Sequence, residues 1–348
     1  MRISTLLSYA SGFKEAVKEV QALEKAGLDV VWVPEAYSFD APSAMGYLAA
    51  NTERVTIASG ILPVYSRTPT LLAMTAAGID YLSDGRCMLG LGASGPQVIE
   101  GFHGVPYTAP VSRLREVIDI CRMVWRREKV NYDGKHYQIP LPQNQGTGLG
   151  KPLKLINHPV RDEIPIAVAS LGKKSVEMTA ELADAWLPAF YMAEGADDVW
   201  GDALRAGAQK RDPTRAPLEV FAGGGVAIGE GLEDLRNMSR PGMALYIGGM
   251  GARSRNFYNQ VFCQYGYEAE AQQIQDLYLS GKKDEAAAAI PDAYLEATTL
   301  IGPEGFVKDR LAALKESGVN ALNVGFAGRT LEERVGYCEK LRNIVDSI

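Results

Sequence analysis

Histidine is scarce: the 348 residues hold three, His103, His136 and His158, and no two of them stand two or four positions apart. That scarcity argues against a zinc or iron constellation, which needs ligands at short, repeated spacings. Cysteine is scarce as well. Cys87, Cys121, Cys263 and Cys338 are far apart and form no Cys-x-x-Cys pair, so they read as buried thiols in a reducing compartment. No apolar run approaches membrane-spanning length, and the one in Met1–Ser8 is too short for a signal peptide. The expectation is a cytoplasmic protein with no membrane partner. Positive charge is in deficit, with 36 Lys and Arg against 42 Asp and Glu for a net of -6. A surface of that sign does not attract nucleic acid or anionic lipid, so any anionic ligand must be held by local donors. No short repeat and no low-complexity tail is present.

What the chain does have is a recurring strand-then-helix rhythm and enough apolar content, 47%, to bury a large core. Strands are expected over 3–8, 29–33, 55–59, 86–92, 164–169, 185–191, 218–226 and 321–325. Helices are expected over 12–26, from 42, over 69–82, 110–128, from 173, over 196–211, 303–317 and 330–348. Eight such units in this order predict one domain over 1–348, a (β/α)8 TIM barrel with insertions around 131–163 and 229–302. The third unit is the most informative. Its β-prone run stops at Ser59-Gly60, where the missing Cβ allows either an ordinary turn or the close approach of a ligand to the backbone, and Pro63 ends the ladder.

A barrel of this kind gathers its chemistry at the C-terminal strand ends. Ser8-Tyr9, Glu35, Ser59-Gly60-Ile61, Gly92-Ala93-Ser94, Ala169-Ser170, Ala189-Phe190 and Gly223-Gly224 should therefore share one mouth. Most of these are small or apolar, which leaves little acid, base or metal chemistry and points to a flat organic cofactor as the reactive partner of a small-molecule substrate. Gly172-Lys173-Lys174 opens a helix. Lysines there oppose the helix dipole unless a phosphate sits between them and the free amides; the alternative is that both are simply solvated. Glu35 is placed either to accept a hydrogen bond from a ligand or to pair with an arginine. Tyr37, Tyr65 and His103 join it as candidate polar or proton-transfer groups. Arg67, His103 and the Gly248–Arg255 segment are candidates for a substrate or an acidic cofactor tail, although solvated surface is the plainer reading of Arg253 and Arg255. The 268–280 stretch reads as packing.

Taken together, Asp29-Val-Val-Trp-Val-Pro-Glu35, Ser59-Gly-Ile-Leu-Pro63, Arg67-Thr-Pro69, Asp84-Gly-Arg86, Leu89-Gly-Leu-Gly92 and Leu182-Ala-Asp-Ala-Trp186 resemble the bacterial luciferase-like flavin and deazaflavin oxidoreductases. Ala93–Gly101 and Leu245–Ala252 are similar to the branch that uses coenzyme F420. The resemblance implies a homodimer and a bulged third strand with a non-prolyl cis peptide, Gly60–Ile61 here, beneath the deazaflavin ring. It also implies cofactor contacts along Ser59, Gly60 and Ile61, along Gly92, Ala93 and Ser94, and along Ala169, Ser170, Leu171 and Gly172, the last run holding phosphate next to Lys173 and Lys174. Two departures matter. Relatives that oxidise alcohols or sugar phosphates carry a histidine after the second-strand acid, where this chain has Ala36, and a glutamate after the fourth-strand glycines, where it has Ala93-Ser94-Gly95. Their proton-transfer scheme does not carry over. The expected activity is hydride transfer between F420 and an organic substrate, with an FMN-dependent monooxygenase and a non-catalytic cofactor carrier as the alternatives.

Overall fold

A computed structural model describes residues 1–8, 12–251, 253–254 and 256–348; Tyr9, Ala252 and Arg255, named above, lie outside them. Eight parallel strands close into a barrel: β1 (Arg2–Leu6), β2 (Val30–Val33), β3 (Thr56–Ser59), β4 (Cys87–Gly92), β5 (Ile166–Ala169), β6 (Ala185–Leu187), β7 (Glu219–Ala222) and β8 (Ala321–Asn323). Pairing of β8 with β1 and of β3 with β4 leaves no free edge between them. The outer ring is α1 (Phe13–Lys25), α2 (Ala41–Asn51), α3 (Pro69–Leu82), α4 (Pro110–Trp125), α5 (Lys173–Leu182), α6 (Asp202–Lys210), α7 (Glu304–Glu316) and α8 (Leu331–Ser347). Local chemistry sets the helix starts. Asp40 and Thr68 accept from the Ser43 and Leu71 amides ahead of α2 and α3, and Thr330 with Glu333 forms a capping box on α8.

Alternation along each strand separates two layers. One set of side chains fills the barrel: Val30, Trp32, Ala58, Met88, Ala167, Ala185, Phe221 and Ala321, all buried. The alanines make room for Trp32 and Phe221, which meet edge to face with centroids 5.2 Å apart. Trp32 donates its indole N–H to Ser4 Oγ at 2.9 Å, and Ser4 donates in turn to the Leu322 carbonyl at 2.7 Å, so the one polar atom of the plug is satisfied. The other set, including Val31, Ile57, Leu89, Val168 and Leu322, packs under the helices, each fully buried large side chain contributing about 1.5–3 kcal/mol.

Two expectations are corrected. The sixth strand ends at Leu187 rather than 191, because Pro188 has no amide to donate and Phe190 turns the chain out with φ +58. The seventh breaks at Gly223-Gly224. A Cβ on Gly224 would stand 1.9 Å from the Thr298 carbonyl, so the chain crosses another backbone there and resumes as Gly225–Ile228 in a separate parallel sheet with Leu300–Gly302 and Gly325–Phe326. After the small-residue run that ends at Gly95, Pro96–Gly101 forms a short helix. The insertion at 131–163 carries a hairpin, Tyr132–Asp133 with Gln138–Ile139. Glu116 of α4 pins it by accepting from the Lys135, His136 and Tyr137 amides at 3.0–3.2 Å. The excursion over 229–302 packs around its own cluster of Ala244, Ile247, Phe262, Ala271, Ile274 and Tyr294, with the Glu268–Leu279 helix in the packing role expected of it. Among the described residues no helix is long and apolar enough to cross a membrane.

Candidate active site

The floor of the mouth is a bulge in the third strand. The chain advances from Ala58 to Leu62 while its neighbour advances from Met88 to Leu91, so one residue is looped out and the alternation flips. The Gly60–Ile61 peptide is cis, where the resemblance placed it. The Gly60 amide donates to the Val33 carbonyl at 2.8 Å, and a Cβ on Gly60 would stand 2.9 Å from that of Trp32. Ser59 does not reach the mouth: it is fully buried, its hydroxyl donating to the Gly90 carbonyl and accepting from the Gly90 amide, both at 2.8 Å. A Cβ on Gly90 would stand 1.7 Å from the Ser59 carbonyl oxygen, and one on Gly92 would stand 2.8 Å from Ile61 Cγ1. Glycines in β4 thus let the bulge lie flat against it, with Ile61 over Gly92. Ala93 and Ser94 follow, Ser94 at φ +57, an uncommon backbone for a residue with a side chain and one that clusters at functional sites.

The phosphate-type arm lies at the start of α5. Ala169 and Ser170 end β5, and the turn is held by two indoles: Trp186 donates to the Ser170 carbonyl at 3.0 Å and Trp200 to the Leu171 carbonyl at 2.8 Å. In a trans peptide the N–H points opposite to its C=O, so carbonyls drawn toward the tryptophans send the Leu171 and Gly172 amides the other way. Gly172, as N-cap, offers no side-chain acceptor to the first-turn amides. Lys173 and Lys174 are exposed and form no ion pair among the described residues. Donors and positive charge therefore collect at one helix end, the arrangement that receives phosphate. The Ser170 hydroxyl points away and bonds Thr179 at 2.9 Å.

The polar candidates separate. Glu35 is buried and engaged: Arg67 grips both carboxylate oxygens at 2.5 and 2.8 Å, and the Ala41 amide donates to one of them at 2.8 Å. Of its two sequence readings, the arginine pair is the one formed. Tyr37 is exposed and its ring stands 6.1 Å from that of Phe102, whose own neighbour is the His103 imidazole at 5.3 Å. His103 Nε2 is buried and has no hydrogen-bond partner among the described residues, which leaves that ring nitrogen open to a water or a ligand. Tyr65 donates to the Thr108 carbonyl at 2.7 Å, and burial pushes its hydroxyl up to about 12, so it stays protonated. Tyr107 stands beside it, rings 5.1 Å apart, and donates to the Ser94 carbonyl at 3.3 Å. Arg253 pairs with Asp276, which agrees with the surface reading. Trp186 lies in the Leu182–Trp186 motif, but its role in holding the Ser170 carbonyl was not read from it; Trp200, Tyr107 and Arg113 carry no motif and were missed altogether.

Two cavities bracket the barrel. One, of about 300 Å3, lies beside the ends of β1 and β2 against Phe13, Val33, Pro34 and Phe39. The other, of about 320 Å3, is at the opposite end among Arg2, Glu24, Asp29, Arg54 and Arg342. Its charges are already matched, Arg342 to Asp29 and Arg2 to Glu219, while Glu24 accepts from the 53–55 amides, so the opposite end reads as structural. Among the described residues no group of His, Cys, Asp and Glu stands ready to hold a metal. The mouth offers a flat apolar floor, a phosphate-type arm and few ionisable groups, which suits a planar cofactor that supplies the reactivity itself.

Residues 1–321 match the family profile described as luciferase-like monooxygenase. The chain is 40% identical over 310 residues, 88% of each chain, to the Mycobacterium tuberculosis protein named "Putative coenzyme F420-dependent oxidoreductase Rv3520c". It is 24% identical over 309 residues, 88% of this chain and 87% of the relative, to a 5,10-methylenetetrahydromethanopterin reductase of Archaeoglobus fulgidus. In fold it is similar to the coenzyme F420-dependent tetrahydromethanopterin reductase from Methanopyrus kandleri, with a TM-score of 0.80 at 18% identity over 98% of this chain and 96% of that one. An F420-dependent secondary alcohol dehydrogenase in complex with an F420-acetone adduct gives 0.74 at 16% identity over 99% and 98%.

Proposed function

The chain belongs to the luciferase-like monooxygenase family, and from that premise we propose that it is an oxidoreductase moving a hydride between coenzyme F420 and an organic substrate laid over the exposed face of the deazaflavin. The observation that carries this reading is the floor: Gly60–Ile61 bulged over Gly92, flat and uncharged, with the α5 amides to one side. The 40% identical relative, by its name F420-dependent, supports the choice of cofactor. When bound, the deazaflavin supplies the hydride chemistry. The chain's own residues bind and orient. Ile61, Gly92 and Ala93 give the ring a face to stack on, and the Leu171 and Gly172 amides with Lys173 and Lys174 hold the phosphate. Glu35 and Arg67 fix the turn after β2 rather than touch the ligand. His103 Nε2 is the atom that exchanges a proton with the substrate.

Titration of the purified protein with F420 and with FMN tests the cofactor: F420 should bind at the lower concentration, and FMN binding tighter than F420 would overturn the choice. Replacing Lys173 and Lys174 together with Ala should raise the F420 dissociation constant about 5-fold, as expected for exposed charges near an anion, with the melting temperature unchanged. His103→Gln should lower kcat about 100-fold, within the range for loss of a positioned acid–base group, and leave F420 affinity alone; full activity in that variant removes the histidine from the chemistry.

A further inference from the structure

Arg113, in the first turn of α4, is held with unusual care and given no counterion. Its guanidinium lies over two rings, 5.8 Å from the Tyr65 centroid and 5.6 Å from that of Tyr137. The Tyr65 ring is anchored through its hydroxyl to the Thr108 carbonyl, and the Tyr137 backbone through its amide to Glu116. Ser112 reinforces the hairpin side by bonding His136 Nε2 at 2.7 Å. Arg113 Nε donates to the Thr108 carbonyl at 3.0 Å, and Nη2 has only a 3.4 Å contact to the Thr108 hydroxyl. Nη1 has no partner and no carboxylate pairs with the group among the described residues. Elsewhere the half-buried arginines are spent: Arg67, Arg161 and Arg310 on carboxylates, Arg86 and Arg211 on several backbone carbonyls.

The position is not remote. Tyr65 follows the bulged strand and touches Tyr107, whose hydroxyl reaches Ser94 at the end of β4. An oriented fork of donors beside the mouth, with its flexibility already removed, is suited to a planar two-oxygen anion. We propose that Arg113, clamped by Tyr65 and Tyr137, is a carboxylate-binding subsite at the rim of the mouth. The carboxylate comes either from the acidic tail of the cofactor, an arm that rests on the proposed function, or from the substrate.

Calorimetry on the full chain separates the two sources. One pair of titrations uses F420 with its acidic tail and the same deazaflavin phosphate with the tail removed. If the tail is the ligand, Arg113→Ala weakens binding of the tailed form about 10-fold, as expected for loss of one charge-assisted contact, and leaves the trimmed form unchanged. The second pair titrates glutarate and benzoate into the wild type and the variant, with and without cofactor. If the substrate supplies the anion, these bind the wild type and lose that affinity in Arg113→Ala. Arg113→Gln, which keeps a planar donor in the ring clamp, replaces the alanine variant should that one melt early. Wild-type behaviour of the variants in both pairs overturns the subsite. Failure of wild type to bind F420 at all sinks the proposed function instead, and the glutarate and benzoate titrations without cofactor still decide Arg113.

Discussion

Gly90→Ala should cost at least about 4 kcal/mol of stability, in the range reserved for substitutions that force backbone apart. The added methyl would stand 1.7 Å from the Ser59 carbonyl oxygen and 2.8 Å from its carbon. Neither atom is the end of a flexible side chain, so β3 and β4 must separate. With them go both hydrogen bonds between the Ser59 hydroxyl and Gly90. Since a domain of this kind has about 5–15 kcal/mol in total, the variant should melt far below the wild type or accumulate unfolded, and any folded fraction should have lost cofactor binding because the floor is made by that contact. Gly78→Ala is the control. Nothing lies within 4 Å of a Cβ there, and inside α3 it should be neutral or stabilising by up to about 1 kcal/mol. Thermal melts of the two variants, with F420 titrations alongside, check the pair; a Gly90 variant that melts and binds like wild type would mean that the bulge is not packed against β4 as described.

Arg67→Met should cost about 3–5 kcal/mol, the usual penalty for removing one partner of a buried ion pair. The Glu35 side chain is 6% exposed and that of Arg67 15%, so the abandoned carboxylate would keep only the Ala41 amide. Adding Glu35→Gln to Arg67→Met removes the stranded charge and should recover most of the loss. The double variant also decides what Glu35 is for. If its work is to fix the turn between β2 and α2, restored stability brings restored F420 affinity. Restored stability with affinity still lost would move Glu35 back among the groups that touch the ligand.

Much of this was readable from the chain. The unbroken apolar run at Val30–Val33 required cover on both faces, and the structure gives Trp32 to the lumen and Val31 and Val33 to the helix layer. Gly60 marked the point where the third strand leaves its ladder. The errors have physical causes. Ser59 was assigned to the mouth because it ends a strand, yet its neighbour Ala58 faces the lumen, so Ser59 points outward and its hydroxyl is taken up by Gly90; the looped-out residue that follows reverses only the later side chains. The seventh strand seemed to run through Gly223–Gly225 because the backbone that crosses it, at Thr298, is far away in sequence. Arg113 stayed invisible for the same reason. A basic residue early in an amphipathic helix looks like ordinary surface until rings from two other segments are brought against it.

The edge-to-face pair of Trp32 and Phe221 turns the barrel into a cup with a solid base. Nothing drains through it, so small molecules in the lower cavity never meet those above. On the proposed function, cofactor and substrate would share the one doorway at the mouth, and whichever settled deeper would leave second.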